Sequence, residues 1–487
     1  MAKANIKVED FIADGRVQNV LQKLRAKFGD NYERLVVSDT LDDREKNQYV
    51  NLVQKGGGVL GVALVGYTYI LEAVGIRFLR LAGTSAGAIN TALMTVIDEK
   101  NKPKSEKILK YLCEMDFFSF VDGHPFARWL IKNVVSNKSF KKRVNFLIKG
   151  LLMALVGLFF MDILFIGFSN FYDWGRVAAI TSMVFTGIIM LIMAFMVFYA
   201  VYIFEKLKVS GYGINPGNTF LSWIKQRMDE NGVSTVAQLN KKASTIPNFE
   251  MRPGSNANAS SLAGDVTFIV SELVTENKIQ LPLMADLFRV DEQNMHPGEF
   301  VRASMSIPIF FESHMIRNIP VQEIKIQEAW DKHLKIDKTQ IPSTVRFVDG
   351  GMLSNFPVSI FYNPKVLEPR LPVFGIDLDD VDPKDKTRNE SDKWSLTGYI
   401  WKLFNTVRYY YDKDFLEKNL VFKRGIGSIK LFEFNWLNFF LTDKDKLDMF
   451  CKGAEAAGAF LENFDWQEYK RLRTEMQINF NQEAQKN

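Results

Sequence analysis

The stretch "FLRLAGTSAGAINTALMTVI", Phe78–Ile97, changes character at its centre. The opening "FLRLA" is apolar but for Arg80 and reads as a strand, and the closing "AINTALMTVI" reads as a helix. Between them lies "GTSAG", Gly83–Gly87, where Ser85 sits among residues small enough for a sharp strand-to-helix turn that exposes its hydroxyl. The helix that follows aims its N-terminal dipole at the same place. A lone G-x-S-x-G is often accidental, so the rest of the chain must supply a base and an oxyanion site.

Two further pieces qualify. "GGGVLG", Gly56–Gly61, follows the strand candidate Tyr49–Gln54. Successive glycines let backbone N–H groups converge on an anion. The loop fits neither the dinucleotide fingerprint nor the P-loop, because no Gly-Lys-Ser/Thr follows. "FVDGG", Phe347–Gly351, is a strand that ends in an acid and two glycines. The four histidines are His124, His296, His314 and His333; none lies in the last 154 residues, where an α/β-hydrolase triad would place one. A Ser–Asp dyad fits the residues present. Asp349 takes the Ser85 proton, and the glycine loop holds the oxyanion.

In this order, the glycine loop, G-T-S-A-G and D-G-G resemble the patatin-like phospholipase family. "GYGINPGNTFLSWI", "FVRASMSIPIFFES", "FVDGGMLSNFPV" and "FGIDL" are also similar to family sequence, over about residues 48–465 apart from an apolar insertion. The resemblance implies a three-layer α/β/α core with a central, mostly parallel sheet, and lipid acyl hydrolysis without metal or cofactor. It makes Ser85 the nucleophile, Asp349 the base, and Gly57 and Gly58 the oxyanion donors, with Gly56, Gly61, Gly83, Gly87 and Gly350 completing the motifs. One position departs from the pattern. The family loop usually carries Arg or Lys before its last glycine, and here Leu60 stands there, with Lys55 nearby but not equivalent. Arg302 is a candidate for shaping the site.

The chain of 487 residues has ordinary globular composition, with 47% hydrophobic and 24% charged residues. Its net charge of +5 gives no global signal for nucleic acid, and none is expected as a partner. Two cysteines rule out a disulfide framework and suit a reducing compartment. The start shows no apolar signal-peptide core, so none is expected to be cleaved. We read an N-terminal helical arm (1–48), the first part of the catalytic domain (49–140), a transmembrane helical hairpin (141–208), the second part of the catalytic domain (209–465) and a tail (466–487) whose last twenty residues are expected to be frayed. Thr442 is read as the N-cap of a late helix.

The hairpin rests on two runs. Val177–Phe204 holds 28 residues without a charge, and Phe146–Phe168 holds 23 with only Lys149 and Asp162 charged. A bilayer core needs about 20 apolar helical residues. A buried hairpin in a soluble core and a hairpin entering a single leaflet are the alternatives. Ser85 and Asp349 lie on either side of the insertion and must meet, so the number of crossings is even, and Asp162 is expected to face the other helix or water. Arg128–Arg143 has six basic residues and no acid. The positive-inside rule then puts the catalytic body in the cytoplasm, with the basic stretch near anionic headgroups, and the simple topology and few cysteines suit a bacterial inner membrane. Gly150, Gly157, Gly167 and Gly187 offer small contact points for a homo-oligomer. The function expected is phospholipase A or lysophospholipase activity on membrane phospholipid. A neutral-lipid lipase, thioesterase or transacylase with the same dyad, and a silent membrane scaffold, are the other readings.

Overall fold

The computed structural model describes residues 6–125, 128, 132, 140–169, 171–209, 211–255, 262–381, 390, 394 and 396–484. The chain forms two compact units, residues 122–216 and the remainder.

The larger unit is built on a ten-stranded mixed sheet among the described residues. Its strands are β1 (Thr40–Asp42), β2 (Gln48–Gln54), β3 (Ile76–Thr84), β4 (Phe249–Met251), β5 (Asp265–Glu272), β6 (Asn277–Leu281), β7 (His314–Arg317), β8 (Thr344–Asp349), β9 (Val373–Asp379) and β10 (Ile426–Lys430). The main path runs β10-β9-β2-β3-β5-β8-β7. The five strands from β10 to β5 are parallel, whereas β8 pairs antiparallel with β5 and β7. All seven residues of β2 are buried, so both faces of the sheet are covered there, as parallel strands require.

The helices that matter here are α1 (Gly15–Phe28), α2 (Gly61–Ala73), α3 (Ala86–Val96), α4 (Ser105–Glu114), α5 (Phe140–Phe168), α6 (Asp173–Val209), α7 (Asn218–Glu230), α8 (Gly298–Ser304), α9 (Leu396–Lys418), α10 (Asp443–Asn463) and α11 (Trp466–Ala484). α2 and α10 pack backbone to backbone. A Cβ on Gly66 would lie 2.0 Å from the Phe450 carbonyl oxygen, and one on Gly453 would lie 2.0 Å from that of Ala63. Thr442 caps α10 as expected, in a reciprocal box with Asp445. Ahead of the sheet, Phe11 is buried edge-on against Phe450, and Val17 and Leu24 of α1 are buried too.

The expectation of a frayed tail is corrected. α11 runs to Ala484, with Trp466 and Tyr469 buried beside Val53, Ala82 and Phe356. The indole N–H donates to Asp39 at 2.8 Å. Buried aromatics on one face of this helix outweigh its Gln- and Asn-rich composition.

In the smaller unit, α5 and α6 lie against each other. Their segments Lys149–Phe168 and Trp174–Ile203 are long and apolar enough to cross a membrane, and their side chains are largely exposed in the isolated chain. Asp162 faces the other helix, where Thr186 Oγ1 donates to it at 2.8 Å. At Gly150, Gly157, Gly167 and Gly187 an added Cβ would meet nothing. Most of the basic stretch Arg128–Arg143 lies outside the described residues.

Replacing Gly453 with alanine is expected to force α2 and α10 apart. Overpacking of this kind costs about 1–3 kcal/mol, which a lowered urea midpoint at unchanged slope would report.

Candidate active site

The sheet registers bring the two ends of the candidate dyad together. Thr84 on β3 is level with Ile269 on β5, and Asp349 on β8 is level with the next residue, Val270. The chain then turns so tightly over β5 that a Cβ on Gly350 would lie 2.1 Å from the Ile269 carbonyl oxygen and 3.1 Å from Thr84 Cγ2.

Ser85 sits on the turn between β3 and α3 with φ +53°, a conformation that costs a side-chain-bearing residue about 1–3 kcal/mol. Several contacts hold it. The Ser85 N–H donates to Ser304 Oγ at 3.0 Å, and that hydroxyl donates to the Ile269 carbonyl at 2.6 Å. Thr84 Oγ1 donates to the Ser354 carbonyl at 3.0 Å. The flanking glycines are required by proximity. A Cβ on Gly83 would lie 2.3 Å from the Gly87 carbonyl oxygen, and one on Gly87 would lie 2.2 Å from that of Gln54.

Asp349 is buried, and the Ser85 hydroxyl lies near enough to act on its carboxylate. Its Oδ1 accepts the Gly351 N–H at 2.7 Å, and its own N–H donates to the Ser306 carbonyl at 2.8 Å. Burial pushes the carboxyl above the usual aspartate range; the Arg408 guanidinium, the Ser85 hydroxyl and the Gly351 N–H pull it part of the way back. Arg302, also buried, donates to Ser306 Oγ and, at 2.9 Å, to the Glu312 carbonyl, and so braces the segment that holds Asp349.

The glycine loop lies against the elbow. A Cβ on Gly56 would be 3.1 Å from Ser85 Cβ, and one on Gly61 would be 3.1 Å from Ala86 Cβ. The Gly56 N–H donates to the Asn355 carbonyl at 3.0 Å, and Asn355 Nδ2 donates back to the Gly56 carbonyl at 3.2 Å. Val59 N–H goes to the Trp436 carbonyl, and Leu60 N–H to that of Gly57. Among the described residues, the N–H groups of Gly57 and Gly58 have no such acceptor. Leu60 is buried. Lys55 does not stand in for the missing cation, because its Nζ pairs with Asp377 at 2.6 Å and donates to the Leu378 carbonyl at 3.0 Å.

Ser85 opens on a cavity with almost wholly apolar walls. Gly58 and Val59 line it near the elbow, Ile89 and Leu93 follow along α3, and Phe120 and Phe220 also face it. No histidine lines it. His314 is pushed down to about 4 by burial, His333 pairs with Asp286 and His296 with Asp229. Among the described residues no group of three His, Cys, Asp or Glu side chains is placed to hold a metal.

Sequence reasoning missed Ser304, Asn355, Arg408 and Asp412. The first two lie inside quoted stretches, "FVRASMSIPIFFES" and "FVDGGMLSNFPV", but their hydroxyl and amide show their use only in three dimensions. Arg408 and Asp412 are one turn apart on α9. Asp412 accepts Ser354 Oγ and the Phe356 N–H, each at 2.7 Å, and burial pushes it up to about 6. No local pattern marks them.

The patatin-like phospholipase family matches residues 52–362, a span that takes in the glycine loop, the serine elbow and the Asp349 turn. The chain belongs to that family. This patatin-like chain is 24% identical over 422 residues to the uncharacterized protein YqhO of Bacillus subtilis (strain 168), covering 86% of this chain and 100% of the relative. It is also similar to the crystal structure of VipD from Legionella pneumophila, at 14% identity and a TM-score of 0.36, over 88% of this chain and 70% of the other. The patatin-like domain supports a lipid acyl hydrolase in general terms.

Ser304→Ala removes the acceptor of the Ser85 N–H and is expected to lower stability by about 1–3 kcal/mol, the cost of a buried unpaired donor. Thermal unfolding beside Ser304→Thr, which keeps the hydroxyl, checks this.

Proposed function

We propose that this patatin-like chain cleaves ester-linked fatty acids from membrane phospholipid through a Ser85–Asp349 dyad. The observation that carries the reading is the Ser85 hydroxyl, set beside a buried carboxylate by the sheet register and facing an apolar cavity. An acyl chain enters the cavity and sets its carbonyl beside Ser85. Ser85 Oγ attacks the carbonyl carbon as its proton passes to Asp349. The carbonyl oxygen becomes an oxyanion and takes hydrogen bonds from Gly57 and Gly58 N–H. The intermediate collapses, and the lysolipid oxygen leaves with the proton from Asp349. Water then attacks acyl-Ser85 and gives its proton to Asp349. The second proton transfer, back to Ser85, releases the fatty acid.

We further infer that α5 and α6 span the bilayer as a pair, with the larger unit on the cytoplasmic side. Their apolar lengths support this, and the Thr186–Asp162 hydrogen bond gives the one mid-segment acid a partner away from lipid. Protein in isolated membranes is then expected to resist extraction by alkaline carbonate and to yield only to detergent; release by carbonate would sink the spanning pair.

Fatty-acid release from phospholipid vesicles is expected to be abolished in both Ser85→Ala and Asp349→Asn. The aspartate variant has a second signature. The folded state holds the Asp349 proton more tightly than the unfolded chain does. Its stabilising contribution is therefore complete below the ordinary value of 3.8 and lost as pH rises through the raised value. Asp349→Asn should thus unfold at or above the parent temperature at pH 8, with the difference shrinking in acid. An inactive variant less stable at pH 8 would contradict this.

A further inference from the structure

The glycine loop lacks the cation that the family pattern sets beside its last glycine, since Leu60 is there and Lys55 is tied to Asp377. A guanidinium reaches the dyad from elsewhere. Arg408 on α9 donates through Nη2 to Asn355 Oδ1 at 3.0 Å, and its charge acts on Asp349. Three groups converge on the Gly351 Cα. A Cβ there would lie 2.5 Å from Asn355 Oδ1, 2.8 Å from Asp349 Oδ1 and 3.2 Å from Arg408 Nη2.

We propose that Arg408 is a positioning residue of the dyad, which aims the Gly57 N–H through Asn355 and sets its positive charge against the Asp349 carboxylate. The first half follows from peptide geometry. The Gly56 carbonyl and the Gly57 N–H belong to one planar trans unit and point in opposite directions. Asn355 Nδ2 holds that carbonyl and Asn355 accepts the Gly56 N–H, so the orientation of the Asn355 amide fixes where the Gly57 donor points. Arg408, bonded to the oxygen of that amide, fixes the orientation. The second half is electrostatic. Ser85 from the elbow, Ser271 from β5 and Ser306 after α8 surround the Asp349 segment without charge, and among the described residues Arg408 is the charged side chain that acts on it.

The guanidinium is itself held in place. It lies 5.5 Å from the Trp436 ring centre and 5.6 Å from that of Tyr409, and Asp412, one turn on, anchors α9 to Ser354 and Phe356. Among the described residues, the buried Arg408 Nε has no acceptor, so its hydrogen bonding is given through Nη2 to Asn355.

This inference rests on the Ser85–Asp349 reading, and the test separates the two. Hydrolysis of a p-nitrophenyl acyl ester in detergent is followed from pH 4.5 to 9 for the detergent-purified full chain and for Arg408→Gln, Arg408→Lys and Ser85→Ala. Arg408→Gln is expected to lose about tenfold or more in kcat, below the full loss of an oxyanion donor, with KM little changed. Its acidic limb should move up by about one pH unit, because an opposite charge at this range lowers a carboxyl by about that much. Arg408→Lys keeps the charge but not the planar fork, so it should restore the limb and only part of kcat. Burial also raises Asp412, to about 6, within the pH range followed, so Asp412→Asn is run as a control and should leave the limb in place. Should Arg408→Gln fail to fold, the lysine variant and rescue of Arg408→Ala by millimolar guanidinium take its place. An unmoved limb in Arg408→Gln, with Ser85→Ala dead, overturns the inference alone, as does a loss that neither lysine nor guanidinium repairs. Full activity in Ser85→Ala overturns the dyad itself.

Discussion

A serine held at positive φ is the constraint on which the rest of the site depends. The turn at Ser85 costs about 1–3 kcal/mol, and it persists only because its surroundings allow no other course. The Ser85 N–H is received by Ser304, Thr84 is fastened to the segment after Asp349, and Gly83 and Gly87 admit backbone where any side chain would collide. Those contacts come from four separate stretches of chain. The five parallel strands aim their carboxyl ends at one region, and β8 enters antiparallel, so that Asp349 arrives level with the elbow.

The same logic explains what could be read from the sequence. The elbow, the glycine loop and the D-G-G turn were legible because each is a local requirement: close approach demands glycine, and a sharp turn demands small neighbours. The strands and the Thr442 cap were legible for similar reasons. Arg408 and Asp412 were not, because a charged pair one turn apart on a helix looks like an ordinary solvated face. Only the fold shows that they point inward at Asn355, Ser354 and Phe356. The tail was misjudged because composition was weighed above the spacing of Trp466 and Tyr469.

Leu60 illustrates how a family departure should be weighed. Read alone, it suggests a weakened site. In the structure the neighbouring basic residue in sequence, Lys55, is spent on Asp377, but a charge acts on Asp349 from a helix more than 300 residues further along the chain. A loop position can therefore change type without the site losing its charge, provided that some other element can reach it.

The chain order of the site has a consequence for biosynthesis. Ser85 and the glycine loop are made first, then residues 122–216, and only afterwards Asp349, Asn355, Arg408 and Trp436. Until those later residues emerge, Ser85 has no carboxylate beside it, the Gly56 N–H has no Asn355 carbonyl, and the Val59 N–H has no Trp436 carbonyl. On the proposed Ser85–Asp349 reading, the nascent polypeptide is thus a latent form, in which Ser85 stays uncoupled until the sheet is complete.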